Sequence, residues 1–205
     1  MRTLAAMNPA ARSSPSTLRN RDPILAVLRD RLPASGLVLE IASGAGEHAV
    51  WMAAALPHLR WQPTDYGDLT SIAAWRDEAG LDNLLEPIAL DAGSPEAWAV
   101  SAADAIVCIN MVHITRWRVT QGLMAGAARV LPSGGRLFLY GPYIEAGAPT
   151  APSNLAFDLD LKRRDPSGGV RDLDAVGEPA RGQGLALAER IAMPANNLIL
   201  VFEKG

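Results

Sequence analysis

The sequence predicts an α/β fold, a mostly parallel sheet with helices on both faces and a C-terminal antiparallel strand pair, and three observations carry that prediction. Short apolar runs alternate with amphipathic segments through the first two thirds of the chain, a pattern that dictates right-handed crossovers between parallel strands. Three early strands end in acids, Glu40, Asp65 and Asp91. In a parallel sheet such ends line one crevice, so the three carboxylates would face a common ligand. In the last third, two apolar runs at 185–191 and 197–202 are joined only by Pro194-Ala195-Asn196. So short a link permits only an antiparallel pair, because a parallel one needs a crossover of a dozen or more residues.

Residues 1–18 carry Arg2 and Arg12, several Ala and Ser and no acid. That composition could pass for an organellar presequence, but its periodicity is poor and no secretory apolar region follows, so it reads as a mobile arm with a cytoplasmic default. A single domain is expected over 19–205. Asp22 is a good N-cap and Pro23 suits a first helical position, with Ile24, Leu25, Leu28 and Leu32 on one face. Pro33 and Gly36 end that helix. The first strand, Val38-Leu39-Glu40-Ile41, is made of strand formers and runs into a small-residue turn, after which a helix extends from about Gly46 to Leu56.

A second strand, 59–64, ends at Asp65, and a helix from near Leu69 is expected to turn Leu69, Ile72, Ala73 and Trp75 inward. A third strand spans 87–91. The continuous apolar run 104–109 suits a central strand covered on both faces, and Asn110-Met111-Val112-His113-Ile114 follows it. Next comes an amphipathic helix, 117–131, with Leu123, Met124, Ala127 and Leu131 inward, and a fifth strand, 136–140, whose end Gly141-Pro142-Tyr143 turns outward. Helices are expected from about Ser153 and between Arg171-Asp172 and Gln183.

Composition narrows the function. With 205 residues the chain suits one well-buried domain and is short for a dinucleotide domain plus a separate catalytic one, which counts against a dehydrogenase. The hydrophobic fraction of 49% and charged fraction of 20% fit a soluble globular protein, and no apolar run nears the roughly 18 residues of a membrane span. Nineteen basic against twenty-two acidic residues, with no basic run or Arg/aromatic interleaving, speak against nucleic acid as a partner. The single cysteine, Cys108, lies in an apolar strand and reads as a small core residue. No metal-ligand spacing and no internal repeat is present.

The turn after the first strand invites two ligands. Gly44-Ala45-Gly46-Glu47-His48-Ala49 matches a dinucleotide fingerprint with Ala in the last place. Glu40-Ile41-Ala42-Ser43-Gly44-Ala45-Gly46, however, resembles the acidic-x-Gly-x-Gly-x-Gly motif of class I S-adenosylmethionine (SAM) methyltransferases, with Ala42 in place of the first Gly. Glu47 would set a carboxylate beside a pyrophosphate, whereas an ammonium and a sulfonium meet no such repulsion. Asp65, nineteen positions beyond Gly46, is spaced to accept ribose hydroxyls in either reading. A βα turn without ligand, and an Asp65 that only caps the next helix, stand beside both.

Six segments together resemble one family: 19–24 (Arg-Asn-Arg-Asp-Pro-Ile), 39–49, 110–114, 140–143 (Tyr-Gly-Pro-Tyr), 153–158 and 193–198. They are similar to the family of uncharacterised proteins that includes methyltransferase-like protein 26, placed with class I SAM methyltransferases. The resemblance implies a Rossmann-like seven-stranded sheet and SAM as cofactor. It implies cofactor contacts from Glu40, Ala42, Ser43, Gly44, Gly46, Asp65, Asp91, Ala92 and Asn110, with Asp91-Ala92 toward the adenine. Arg19 and Asn20 join them, an arginine there being able to pair with the carboxylate of the methionine moiety. The family pattern has Trp-Gly before the Ile-Arg-Asp segment, where this chain has Gly168-Gly169.

His113 is the candidate base, since its ordinary pKa lies near 6.5 and it follows the central strand. A histidine packed beside the next helix is the alternative. Tyr140, Tyr143, Asn154, Asp158, Arg171 and Asn196 are candidate residues on the acceptor side, and the polar, uncharged wall expected from Asn110, His113, Tyr140, Tyr143, Asn154 and Asn196 favours a small-molecule acceptor. His48 is expected on the helix and not as a metal ligand. Three functions stay open: a small-molecule methyltransferase, a nucleotide-cofactor oxidoreductase, and a SAM-fold protein that binds partners without catalysis.

Overall fold

A computed structural model describes residues 8–205. Among the described residues the strands and helices follow in the order α1 (Pro15–Arg29), β1 (Gly36–Ile41), α2 (Glu47–Ala55), β2 (Leu59–Asp65), α3 (Thr70–Ala79), β3 (Ile88–Ala89), β4 (Ala105–Ile109), α4 (Trp117–Val130), β5 (Arg136–Gly141), β6 (Tyr143–Ile144), α5 (Pro152–Arg164), β7 (Arg171–Asp172), α6 (Leu173–Gly182), β8 (Leu185–Met193) and β9 (Asn197–Lys204). Seven strands form one sheet in the order β3-β2-β1-β4-β5-β9-β8, and β6 with β7 forms a separate two-stranded sheet. The expected α/β architecture is therefore present, mostly parallel and closed by an antiparallel pair. No helix among the described residues is long and apolar enough to cross a membrane.

The chain divides into two compact units, the first running to Ala89 and the second Leu90–Gly205. In the first, β1 and β2 pair in parallel from Gly36↔Leu59 to Glu40↔Pro63, and Thr64 and Asp65 of β2 pair with β3. Val38, Leu39, Ile41, Leu59 and Trp61 are buried in its core together with Ile24 and Leu28 of α1 and Met52 of α2. In the second, β4 and β5 are parallel, and β9 runs antiparallel to both β5 and β8, with a bulge between Leu187 and Glu189. All five residues of β4 are buried, as its continuous apolar sequence requires. Leu123, Met124 and Ala127 of α4, and Leu131 just beyond it, are buried as their periodicity predicts.

Four expectations are corrected. Asp22 and Pro23 do not open a helix: α1 begins at Pro15 behind Ser14, and Pro23 lies inside it. Proline at the first helical position meets the same rule at Pro15 that made Pro23 look like a start, and tertiary packing of Ile24, Leu25 and Leu28 carries the helix through the second proline. The third strand is only Ile88–Ala89, so Asp91 lies beyond it in a turn where its carboxylate accepts the Gly93 N–H at 2.8 Å and the Ser94 hydroxyl at 3.1 Å. On α3 the buried residues are Ser71, Ile72 and Ala74. Trp75 is half-buried because its indole N–H donates to the Arg12 carbonyl at 2.8 Å, so part of the arm lies on this helix. Tyr143 is buried instead of turned outward, since it starts β6, which pairs with Arg171–Asp172.

Two glycines set how closely α4 can be packed within the second unit. A Cβ on Gly122 would lie 2.4 Å from the Ala92 carbonyl oxygen, and one on Gly126 would lie 2.3 Å from the Trp98 ring. That ring is anchored, its indole N–H donating to the Asp91 carbonyl at 3.0 Å. Gly126→Ala should therefore overpack this contact and lower stability by about 1–3 kcal/mol. Thermal unfolding checks it, at roughly 2–4 °C per kcal/mol for a chain of this size.

Candidate functional site

In the first unit the chain leaves β1 through residues 42–46 with left-handed backbone at Ala42 (φ 58°), Gly44 (φ 60°) and Gly46 (φ 96°). Ala42 holds this conformation despite its Cβ, at a position where the methyltransferase motif has glycine. A Cβ on Gly44 would meet nothing within 4 Å, whereas one on Gly46 would lie 2.8 Å from the Ile72 Cα. Gly44 therefore leaves open space over the turn, and Gly46 lets the start of α2 settle on α3.

Hydrogen bonds fix the turn on every side. The Ser43 N–H donates to the Thr64 carbonyl at 2.8 Å, the Thr64 N–H to the Ser43 hydroxyl at 3.2 Å, and the Thr64 hydroxyl to the Glu40 carbonyl at 2.7 Å. Asp65 is half-buried; its carboxylate accepts the Gly44 N–H at 2.9 Å and the Gly67 N–H at 3.1 Å. A carboxylate has about four acceptor sites, so two remain for a ligand's hydroxyls. The Ser71 hydroxyl donates to the Ala45 carbonyl at 2.7 Å and itself accepts the Arg12 N–H at 2.9 Å. Glu47, buried at the start of α2, accepts the Ser14 N–H at 2.5 Å.

Glu40 is 1% exposed, and its carboxylate accepts the Trp61 indole N–H at 2.7 Å. Burial pushes its pKa from the ordinary 4.5 up to about 7, against the lowering effect of hydrogen bonds from Trp61 and Ser43. Asn20 is likewise buried, its carboxamide oxygen 2.8 Å from His48 Nε2, while Arg19 is exposed. Burial first, and then the Arg21 charge, lowers the His48 pKa to about 4. Arg21 itself lies 3.8 Å over the Trp51 ring. Trp61, Ser71 and Ser14, which pin this turn, were not singled out in the sequence. Trp61 reads as an ordinary strand residue, and the two serines carry no motif.

The second unit holds the other predicted residues. Asn110 is in left-handed backbone (φ 59°), its N–H donating to the Tyr140 carbonyl at 2.9 Å. His113 is 4% exposed, edge-on to Phe157 at 5.5 Å, and its carbonyl accepts the Gly169 N–H at 2.8 Å. A Cβ on Gly141 would lie 3.1 Å from His113 Nδ1, so the imidazole packs directly on the end of β5. Burial, then the Arg171 charge, lowers its pKa to about 4, which keeps it neutral at pH 7. Arg171 donates to three carbonyls, of Val112 at 3.3 Å, Thr115 at 2.6 Å and Ser167 at 2.7 Å, and thus braces the turn that carries His113.

Ala92 is buried, and Asp91 is exposed in its own turn. Tyr140 is 7% exposed. Tyr143 is buried with no hydrogen-bond partner for its hydroxyl, and burial, then the nearby Cys108, raises its pKa. Tyr143, Asn154 and Asn196 line one cavity of about 220 Å³ within the second unit. Asn154 Nδ2 donates to the Asn196 carbonyl at 2.9 Å, and Asp158 accepts the Val170 N–H at 2.8 Å. His113 does not line that cavity. A Cβ on Gly168 would lie 3.3 Å from the Asp165 carbonyl oxygen and 3.4 Å from that of His113, so a side chain there would start in contact with the histidine turn. Among the described residues no cluster of His, Cys, Asp or Glu could hold a metal ion.

The raised pKa of Glu40 makes stability depend on pH. Below pH 4.5 both states hold the proton; between 4.5 and about 7 the unfolded chain releases it while the folded chain keeps it, so stability falls as pH rises through that window. The full loss, above pH 7, is roughly 3 kcal/mol. Glu40→Gln keeps an acceptor for Trp61 and removes the ionisation. Denaturant unfolding at several pH values should show the variant gaining on the wild type by about that amount from pH 4.5 to 8.

Among solved structures, the fold is similar to an O-methyltransferase family 2 protein from Planctomyces limnophilus in complex with apigenin, with a TM-score of 0.75 and 23% identity over 93% of this chain and 60% of that one. It is similar to an O-methyltransferase family protein from Burkholderia thailandensis, with a TM-score of 0.76 and 18% identity over 93% and 57% of the two chains. A methyltransferase of calicheamicin biosynthesis in its SAH-bound form gives a TM-score of 0.75 and 16% identity over 93% and 55%. The chain thus shares the fold of these proteins and spans 55–60% of their length. A family model described as "Protein of unknown function (DUF938)" matches residues 11–204, nearly all of this sequence, and the chain belongs to that family.

Proposed function

We propose that this chain is a SAM-dependent methyltransferase acting on a small-molecule acceptor. The observation that carries the reading is the turn after β1: left-handed backbone at the alternate positions Ala42, Gly44 and Gly46, open space over Gly44, and the Asp65 carboxylate bonded to the Gly44 N–H. Backbone approaches a ligand most closely where no Cβ stands, and the half-buried carboxylate keeps acceptor sites for ribose hydroxyls. The carboxylates of Asp65 and Glu47 suit a ligand that carries an ammonium and a sulfonium and disfavour a pyrophosphate. The fold shared with methyltransferases and the resemblance to the family of methyltransferase-like protein 26 support the same reading.

Bound SAM would supply a methyl group already activated by its sulfonium. The chain's part is to hold an acceptor in line and exclude water. Ala42, Ser43, Gly44, Gly46 and Asp65 are assigned to the cofactor directly, and Glu40, sealed beneath the turn on Trp61, to holding the turn's shape. Arg19, exposed on α1, is the candidate partner for the carboxylate of the methionine moiety, while Asn20 serves through His48. Asp91, Ala92 and Asn110 keep the adenine-side and donor-side roles that the resemblance implies. His113 is neutral and can accept a proton from a hydroxyl acceptor, with Tyr140, Tyr143 and Asn154 shaping the acceptor's surroundings. Its low pKa weakens it as a base and places its contribution at the lower end of what general bases give, roughly 10²-fold.

Calorimetry should show SAM binding by the wild type, weakened in Asp65→Ala by roughly 1–3 kcal/mol through lost charge-assisted hydrogen bonds. Binding of NAD(H) and none of SAM would overturn the assignment. For a hydroxyl acceptor, the rate should lose activity only as pH falls toward 4, where His113 protonates, and stay flat through 6.5. His113→Ala should lower turnover by about 10²-fold and leave SAM affinity unchanged.

A further inference from the structure

We infer that the cavity beside Tyr143 in the second unit binds a neutral, single-ring molecule that carries a hydroxyl. The inference goes beyond the methyltransferase reading and does not rest on it, because the cavity is lined by residues of the second unit and not by His113, the proposed base. The cavity, about 220 Å³, lies between β6 and the loop after it, the start of α5, and β8 with its connection to β9, with Tyr143, Glu145, Asn154, Arg190, Met193 and Asn196 among its walls. An apolar cavity of about 150 Å³ holds benzene, and drug-sized ligands occupy about 300 Å³ or more. The size therefore admits one ring with a substituent or two.

Charge on the walls is cancelled before a ligand arrives. Arg190 donates to Glu145 through both Nε, at 2.8 Å, and Nη2, at 2.5 Å, a bidentate pair in which each group satisfies the other. A charged ligand would find no uncompensated opposite charge there and would lose its hydration, so the cavity selects for neutrality. The hydroxyl follows from Asn154, which is 7% exposed. Its Nδ2 donates to the Asn196 carbonyl at 2.9 Å, and because a carbonyl can only accept, the orientation of the carboxamide is fixed. What remains is the side-chain oxygen, an acceptor, and the second Nδ2 hydrogen, a donor, a pair that a hydroxyl on the ligand can answer because it both donates and accepts. Tyr143 and Met193, both buried, supply aromatic and thioether surface for the ring.

The test is an NMR titration of the full chain with resorcinol, benzoate and benzylammonium, without cofactor. Resorcinol should shift the amides of 150–154 and 192–198, with the two charged rings binding at least about tenfold more weakly. Asn154→Ala should weaken resorcinol about fivefold, as the loss of one neutral hydrogen bond does. Ala192→Trp places an indole in the cavity from an exposed position that tolerates it, and should abolish binding; it decides the matter if Asn154→Ala does not fold. Equal binding of benzoate, shifts outside these segments, or undiminished affinity in Ala192→Trp would overturn the inference. SAM calorimetry on the same protein separates the two readings. SAM binding without resorcinol binding removes the cavity's role alone, and resorcinol binding without SAM binding removes the methyltransferase reading while the site stands.

Discussion

The approach of Gly46 to α3, close enough that a Cβ would lie 2.8 Å from the Ile72 Cα, sets the position at which the whole turn after β1 can run. With α2 seated there, the residue next to Ile72 reaches the turn, and Ser71 donates to the Ala45 carbonyl. Asp65 then meets the Gly44 N–H from the end of β2, and Thr64 closes on Ser43 and Glu40. None of these bonds is strong singly, since a net hydrogen bond contributes about 1 kcal/mol. Together they hold backbone in conformations that cost energy, at Ala42 above all, and hand the turn a fixed shape before any ligand meets it. The segment before α1 belongs to the same arrangement, because Arg12 and Ser14 bond to Ser71 and Glu47.

Burial moves the pKa of the buried acid and of the buried histidines in opposite directions. Glu40 resists ionisation, whereas His48 and His113 resist protonation, their pKa values near 4 lying below the ordinary 6.5. As pH falls from 6.5 toward 4 the unfolded chain takes up protons at both histidines and the folded chain does not, so they make the fold acid-sensitive. Glu40 acts the other way over 4.5 to 7, and two histidines outweigh one acid where the windows overlap. Between about pH 4 and 7, all three groups are held by desolvation mainly in their neutral forms. The low charge suits apolar packing around them, such as Trp61 on Glu40 and Phe157 on His113.

Alternation of apolar and amphipathic segments made the fold legible, and length sorted strands from helices without help from tertiary contacts. What failed depended on partners that sequence does not name. Pro15 and Pro23 satisfy the same local rule, and only the packing of α1 tells which one starts the helix. Trp75 turns toward the arm because Arg12 offers a carbonyl, a contact 63 residues away in the chain. The candidate site was legible where backbone conformation needs a small residue, at Gly44 and Gly46, and where a strand end bears an acid, at Asp65. Glu40 and Asn20 were recognised as polar residues in telling segments, but their burial against Trp61 and His48 could not be read from spacing. Asp91 shows the opposite limit: an acid two residues past a strand also holds its own turn, a contact that strand spacing does not announce.

Both outer strands of the sheet are poor templates for another chain. β3 has two residues, too few to register an incoming strand, and β8 is broken by its bulge between Leu187 and Glu189. Arg190, on β8 just after the bulge, is tied to Glu145, so an approaching backbone would have to displace an ion pair as well as follow an irregular edge. An α/β protein with buried strands as apolar as β4 and β9 exposes aggregation-prone segments whenever it unfolds locally. Here the folded sheet offers those segments no long, regular edge on which to grow, so the shape of each edge disfavours self-association through strand addition.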